Sequence, residues 1–325
     1  MSNVRIVFMG SPDFALPSLQ AMAGAHGLVG VVTQPDRPAG RGRELRPPPV
    51  KLAAAQLGLP VLQPPRISAP EAMEQLHAWA PDLIIVAAFG QILRPTLLAL
   101  PHHGCINVHA SLLPRWRGAA PVPAAILNGD PATGISIMRM DAGVDTGPIL
   151  AQEQIAILPG DTTGSLLPRL AQLGARLLAS TLPDYLAGRH APRRQDDSQA
   201  TVAPVIHKSD GALDLNHPAE ALERRVRAFD PWPGSFVYWG ARRLAVRRVR
   251  VAPAGDAPPG RATVVDGLPA AGTARGLLVF EILQPEGREA MKGQDFLRGA
   301  RGFAGSLLTK TPGDEPQPAP APPAA

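Results

Sequence analysis

The run VRIVFMGSPDFALPSLQAMA, residues 4–23, decides the fold class. Val4 to Met9 is mostly apolar, the pattern of a strand buried on both faces. Gly10-Ser11-Pro12-Asp13 forms a turn, and a helix follows from about Phe14. The same alternation continues through the first half of the chain. Strand-like runs recur at residues 28–33, 83–87, 105–109 and 134–140, with helical stretches near 50–57, 72–79, 94–100 and 122–127. Alternating strands and helices predict an α/β domain, a Rossmann-like parallel sheet covered by helices on both faces. The first turn lacks G-x-G-x-x-G, which argues against a nicotinamide dinucleotide site.

A long helix is predicted over residues 163–186. Residues 188–203 are polar, basic and Pro-containing, the composition of an interdomain linker. Beyond them the pattern changes to short strands at 236–238, 243–251, 262–265 and 277–283, separated by Gly/Pro turns and preceded by a helix over 222–229. This is the signature of a smaller C-terminal β-barrel, OB-like in kind. The organisation expected is a catalytic domain over 1–188, a linker over 189–208, a barrel domain over 209–310 and a Pro/Ala-rich disordered tail over 311–325.

With 325 residues, 45% of them hydrophobic, the chain has enough apolar material for two buried cores. Lys and Arg number 32 against 27 Asp and Glu, a net charge of +5 that points mildly to an anionic partner. The single cysteine, Cys105, cannot form an intramolecular disulfide, which fits a reducing compartment. The N-terminus reads as a strand rather than a signal peptide, and no apolar run is long enough to span a bilayer. A cytoplasmic protein without membrane contact is expected.

The chemistry concentrates in GCINVHASLLPRWRGAAP, residues 104–121. In a strand over 105–109, Asn107 and His109 project from the same face with Cα atoms roughly 7 Å apart. Such a strand's C-terminal end is where open α/β sheets bind ligands. Asn offers a neutral amide donor and His a group that titrates near neutrality. The pair suits a reaction in which a carbonyl oxygen gains negative charge while a nucleophile loses a proton. Alone, an Asn-x-His pair is more commonly a structural polar pair. Cys105 shares the face but lies roughly 13 Å from His109, too far for a thiol–imidazole dyad. It reads as a small buried hydrophobe. His102, His103 and His109 lack zinc-ligand spacing, and no metal is expected. The run MDAGVDTGPIL, residues 140–150, adds Asp141 and Asp145. A buried carboxylate beside His109 would fix its tautomer, although Asp in a Gly-rich loop is ordinarily a turn-former.

In combination, INVHASLLPRWRGAAP (106–121) and MDAGVDTGPIL (140–150) closely resemble the folate-dependent formyltransferases. VFMGSPDFALPSL (7–19), VVTQPDRPAGRGRELRPPPVK (31–51), FDPWPGS (229–235) and LQPEGREAMKGQDFL (283–297) extend the resemblance over nearly all of the chain except its tail. The resemblance implies Asn107, His109 and Asp145 as the catalytic trio and Ser111, Leu112, Leu113 and Pro114 as a folate-binding turn. It implies that Phe89, Gly90, Gln91, Ile92 and Leu93 line the pterin pocket, with Phe89 replacing a frequent Tyr. The implied donor is 10-formyltetrahydrofolate, and the implied acceptor is the α-amine of methionine esterified to initiator tRNA, for translation initiation. Asn107 and His109 would stabilise the oxyanion of a tetrahedral intermediate, and Asp145, with His109 or a water, would take the ammonium proton. A formyltransferase for a small-molecule amine, in nucleotide-sugar or purine chemistry, is the alternative.

Residues 34–49 form a long polar insert, and such loops are usually functional or disordered. It carries Arg37, Arg41, Arg43 and Arg46, whose guanidinium forks suit phosphates and exposed bases. In the family this loop resembles one that enters the acceptor end of tRNA, and Glu44 stands where relatives often carry a basic residue. A second basic patch spans residues 222–251, including Arg224, Arg225, Arg227, Arg247 and Arg248. Strand alternation there puts Arg247 and Arg248 on opposite faces. Nucleic-acid contact is the expectation for both patches, and a monomer suffices for every function named.

Overall fold

The computed structural model describes residues 4–24, 27–39, 44–253, 255 and 257–313. Contacts divide the chain into two units, one of residues 1–125, 130–158 and 165–205, the other of 126–129, 159–164 and 206–325.

The first unit runs β1 (Arg5–Gly10), α1 (Leu16–Ala23), β2 (Gly27–Val32), a hairpin β3 (Arg37–Ala39) and β4 (Glu44–Arg46), α2 (Pro49–Gln56), β5 (Val61–Leu62), α3 (Pro70–Trp79), β6 (Leu83–Ala87) and α4 (Pro95–Leu98). It continues with β7 (Cys105–His109), β8 (Arg117–Gly118), α5 (Pro121–Asn128), β9 (Ala132–Arg139), β10 (Ile149–Ala156), α6 (Thr163–Leu186) and β11 (Val202–Ala203). The main sheet has the order β10-β9-β7-β6-β1-β2-β5. The chain builds outward from β1 through β2 to β5, then returns to add β6 and β7 on the other side. The point where strand order reverses, between β1 and β6, is where open α/β sheets hold ligands.

Strands β1, β2, β5, β6 and β7 are parallel, but β9 is antiparallel to both β7 and β10. The sheet is therefore mixed rather than wholly parallel. Residues 140–148 join β9 to β10 and are too few for the crossover that a parallel pair needs. β10, sequence ILAQEQIA, escapes a composition-based reading because Gln and Glu fill a half-exposed edge strand. The insert at 34–49 likewise contains the β3–β4 hairpin, hidden by Pro, Gly and Arg. Arg41 and Arg43 lie outside the described residues.

β1 and β6 are buried almost throughout, as central strands covered on both faces must be. α6 buries a stripe of Leu166, Leu170, Leu173, Leu178 and Leu182. It packs tightly on the sheet at Gly174, where an added Cβ would stand 2.8 Å from Val108 Cγ1. Val108 thus faces α6, while its neighbours Asn107 and His109 face the other way.

The second unit comprises α7 (Ala219–Ala228), β12 (Ser235–Trp239), β13 (Arg242–Ala252), β14 (Ala262–Val265), β15 (Leu268–Gly272), β16 (Leu277–Pro285), β17 (Met291–Lys292), α8 (Gly293–Gly299) and β18 (Leu308–Thr309). Its antiparallel sheet has the order β14-β15-β16-β13-β12-β18, with β17 on β16. The two edges meet: Ala262 N donates to Ser306 O at 2.9 Å and Leu308 N to Gly260 O at 2.8 Å. This joining of edges gives the sheet its barrel character. Trp239, Phe296 and Phe303 pack edge-to-face at its core, with centroids 5.2–6.1 Å apart. The tail beyond residue 313 lies outside the described residues.

A Gly174→Leu substitution tests the seating of α6 on β7. Leu favours a helix over Gly by about 1 kcal/mol, but overpacking against Val108 costs about 1–3 kcal/mol. Urea unfolding should show a net loss of stability; a gain would mean that α6 does not bear on β7.

Candidate active site

Asn107 and His109 project from one face of β7, as period-two geometry requires. His109 is buried and Asn107 half-buried. The β9–β10 loop folds back over this face. Asn107 Nδ2 donates to Asp145 Oδ1 at 3.3 Å, and His109 Nδ1 lies 3.6 Å from Asp145 Oδ2. The latter is a close approach, too long for a formed hydrogen bond. Gly118 N donates to the same Oδ2 at 2.8 Å. The structure thus brings Asn107, His109 and Asp145 together and adds a backbone donor that no side-chain pattern announces. Asp145 holds φ at +52°, a left-handed conformation that Asp tolerates better than most residues. Asp141, the other carboxylate of the loop, accepts from Gly143 N and Thr146 Oγ1 and is a turn-former.

The far nitrogen of His109, Nε2, lies 2.9 Å from Trp116 O. A carbonyl only accepts, so Nε2 is the donor in this bond. Trp116 is itself left-handed, with φ +58°. Its N–H is held by Thr201 Oγ1 and its indole by Asp130, which also takes the Arg115 guanidinium at 2.8 Å. These supports come from Asp130, a residue of no particular motif, and from Thr201, in a stretch that reads as linker.

The polar groups of the turn 111–114 are satisfied by Arg115 and by side chains of β9 and β10. Ser111 is fully buried and donates to Arg115 O; Ser136 Oγ accepts from Leu113 N and donates to Ser111 O. Leu113 is buried, Leu112 and Pro114 are half-buried, and the Leu113–Pro114 peptide is cis. Residues 89–93 do not share one environment. Phe89 is buried and Gly90 exposed; Gln91 is spent on Ile67 N and Pro64 O; Ile92 is 81% exposed; Leu93 is in the core.

Phe89 and Gly90 line a cavity of about 390 Å³ with Ser11, Gln34, Ala88, Arg37 and Arg46. The cavity sits where strand order reverses, between the ends of β1 and β6. The hairpin arginines therefore face the same space as Phe89. The hairpin's root is anchored by Asp36, which accepts from Lys51 Nζ at 2.7 Å and Gln63 Nε2 at 2.7 Å. Those bonds, Lys51 first, hold the Asp36 carboxyl below its ordinary value. The anchor is intact at neutral pH and loosens as pH falls through that lowered value.

In the second unit, Arg247 and Arg248 are both exposed. The β13–β16 register shifts on each side of Arg248, a bulge that breaks strict alternation. Arg247 bonds Gln284, and Arg248 pairs with Glu281 at 2.9 Å. Arg224, Arg225 and Arg227 of α7 are spent on Leu127 O, Asp210 O and Glu223. Part of the expected basic patch is thus internal structure.

Cys105 is buried, and burial pushes its thiol up to about 12. Among the described residues, no group of three or more His, Cys, Asp or Glu converges as a metal site, and no helix is long and apolar enough to cross a membrane.

The fold thus joins a Rossmann-like sheet, in which an interior strand carries an Asn-x-His pair facing an Asp loop, to a following barrel. The formyl transferase family matches residues 4–182, and its C-terminal domain matches residues 205–301. The chain belongs to this family. A relative from Myxococcus xanthus, named methionyl-tRNA formyltransferase, is 49% identical over 308 residues, covering 94% of this chain and 98% of the relative. One of the same name from Halorhodospira halophila is 50% identical, covering 91% and 96%. An N-formyltransferase from Helicobacter canadensis, solved with folinic acid and dTDP-3-aminofucose, shares the fold with a TM-score of 0.63 at 14% identity, over 85% of this chain and 98% of that one.

Because its thiol stays protonated, Cys105 should resist iodoacetamide at pH 8 in the folded protein and react fully in urea. Rapid labelling of the native state, followed by mass spectrometry, would contradict its burial.

Proposed function

We propose that the chain transfers the formyl group of 10-formyltetrahydrofolate to the α-amine of methionyl initiator tRNA, in the cytoplasm. The observation that carries this reading is near-full-length identity of 44–50% to relatives named methionyl-tRNA formyltransferase, together with the trio's convergence. Two compact units of the expected kinds, a catalytic sheet domain and a barrel, are consistent with a small donor and a large anionic acceptor.

The chemistry follows from the residues. The amine attacks the formyl carbon, a C–N bond forms, and the carbonyl electron pair moves onto oxygen. Asn107 commits one amide hydrogen to Asp145, and its second is available to that oxygen. His109, held through Nε2 by Trp116 O, adds its electrostatic support from the same face. Asp145 is placed to draw off the ammonium proton, with His109 or a water as relay. Collapse breaks the bond from the formyl carbon to the folate nitrogen, which takes up a proton. The turn 111–114, with Phe89 and Gly90, is assigned to the folate; Gln91 and Leu93 support that wall from behind, and Ile92 is left exposed beside it. Arg37 and Arg46, in the cavity with Phe89, are assigned to the acceptor end of tRNA, together with Arg41 and Arg43 of the same loop. Arg247 and Arg248 are assigned to tRNA on the barrel.

The test is incubation with 10-formyltetrahydrofolate and, separately, charged initiator tRNA, charged elongator tRNA and small amines. Formylation of charged initiator tRNA is expected; formylation confined to free amines would overturn the reading. Asn107→Ala should lower kcat by about 10²–10³-fold. His109→Ala and Asp145→Ala should abolish turnover while tRNA binding persists, as measured by filter retention. A combined Arg37→Ala, Arg46→Ala variant should weaken tRNA use and flatten the dependence of log KM on log salt by about one to two. An unchanged salt slope would remove the hairpin from the tRNA contact.

A further inference from the structure

Residues 189–205 are docked on the first unit rather than spanning open space. Arg193 forms a two-bond antiparallel bridge with Ile149, and β11 pairs with β8. Between these anchors Gln195 is buried, with 6% exposure. Its Nε2 donates to Asp145 O at 2.8 Å and to Gly147 O at 2.7 Å. Its Oε1 accepts from Arg117 Nε at 3.0 Å and from the adjacent guanidinium nitrogen at 2.8 Å. The orientation of the amide is settled by its neighbours: two carbonyls that only accept, and a guanidinium that only donates.

The loop it grips needs a restraint. Asp145 holds a left-handed backbone conformation, and an added Cβ on Gly147 would overlap the Arg139 carbonyl. Arg117, the other partner of Gln195, immediately precedes Gly118, whose N–H binds the Asp145 carboxylate. One side chain therefore links the backbone of Asp145 to the strand that donates to its carboxylate. We infer that Gln195 is a positioning residue for formyl transfer, fixing Asp145 against Asn107 and His109 without touching substrate. This rests on the assignment of Asp145 to the reaction.

The experiment is a kinetic cycle on the full chain with Gln195→Met, Gln195→Glu, Asp145→Asn and the Gln195→Met, Asp145→Asn double variant. Gln195→Met keeps volume and removes all four bonds. Gln195→Glu keeps the Arg117 partner but turns both donors into acceptors facing carbonyls. Each Gln195 variant should lose about 10–100-fold in kcat, the scale of misplacing a reacting group. KM for donor and tRNA should stay within about twofold. The pH profile of kcat should shift, since the Asp145–His109 contact is disturbed. In the double variant, measured by single turnover, Gln195→Met should add little to the loss from Asp145→Asn. Wild-type kcat in a folded Gln195 variant, fully additive losses, or equal rises in both KM values would overturn the proposal. Full activity of Asp145→Asn would instead show that the catalytic assignment itself is wrong.

Discussion

Asp145 holds its carboxylate on a left-handed backbone, and three parts of the first unit must arrive for that to persist. Asn107 comes from β7, Gly118 from β8, and the loop itself from the β9–β10 connection. A left-handed residue costs about 1–2 kcal/mol, whereas hydrogen bonds to a charged group contribute about 1.5–3 kcal/mol each. The two bonds to the carboxylate therefore outweigh the strain, whereas one alone leaves little margin. Cause runs from folding to geometry here. The carboxylate is placed beside His109 because the surrounding strands have already paired.

The reversal of β9 is part of the same constraint. A parallel strand at that place would need a long crossover and could not return a short loop onto the face of β7. Because β9 and β10 run antiparallel, residues 140–148 stay close to Asn107 and His109. α6 backs β7 from the other face through the Gly174–Val108 contact, so the strand is held on both sides. Rigid elements carry Asn107 and His109, and a loop with many hydrogen bonds carries Asp145.

How much of this was legible in the sequence depends on what kind of atom does the work. Asn107 and His109 could be placed on one face because the strand period is two, and Cys105 could be dismissed on distance. The Gly118 N–H was not legible, since a backbone donor has no residue signature. Gln195 was not legible either: it lies in a polar stretch that reads as linker, and its partner Asp145 is 50 residues away. β15, sequence LPAAG, lacks the branched and aromatic residues that announce a strand. The turn 111–114 was found through resemblance, yet Ser111 turns out to be fully enclosed, holding the turn's shape from inside.

In the proposed reading, acceptor choice resides in part in the charge placed around the trio. The two basic regions differ here. Arg248 and Arg250 on the barrel already face carboxylates, Glu281 at 2.9 Å and Asp266 at 2.7 Å. Exposed pairs of this sort hold little energy, but they reduce the net field offered to a polyanion. At the hairpin root the nearest carboxylate, Asp36, is taken by Lys51, while Arg37 donates to the neutral Gln34. The positive charge of Arg37 is therefore not cancelled by its neighbour, and Arg37 lines the cavity where strand order reverses. Of the two regions, the hairpin keeps the charge of Arg37 uncancelled, whereas Arg248 and Arg250 of the barrel are paired.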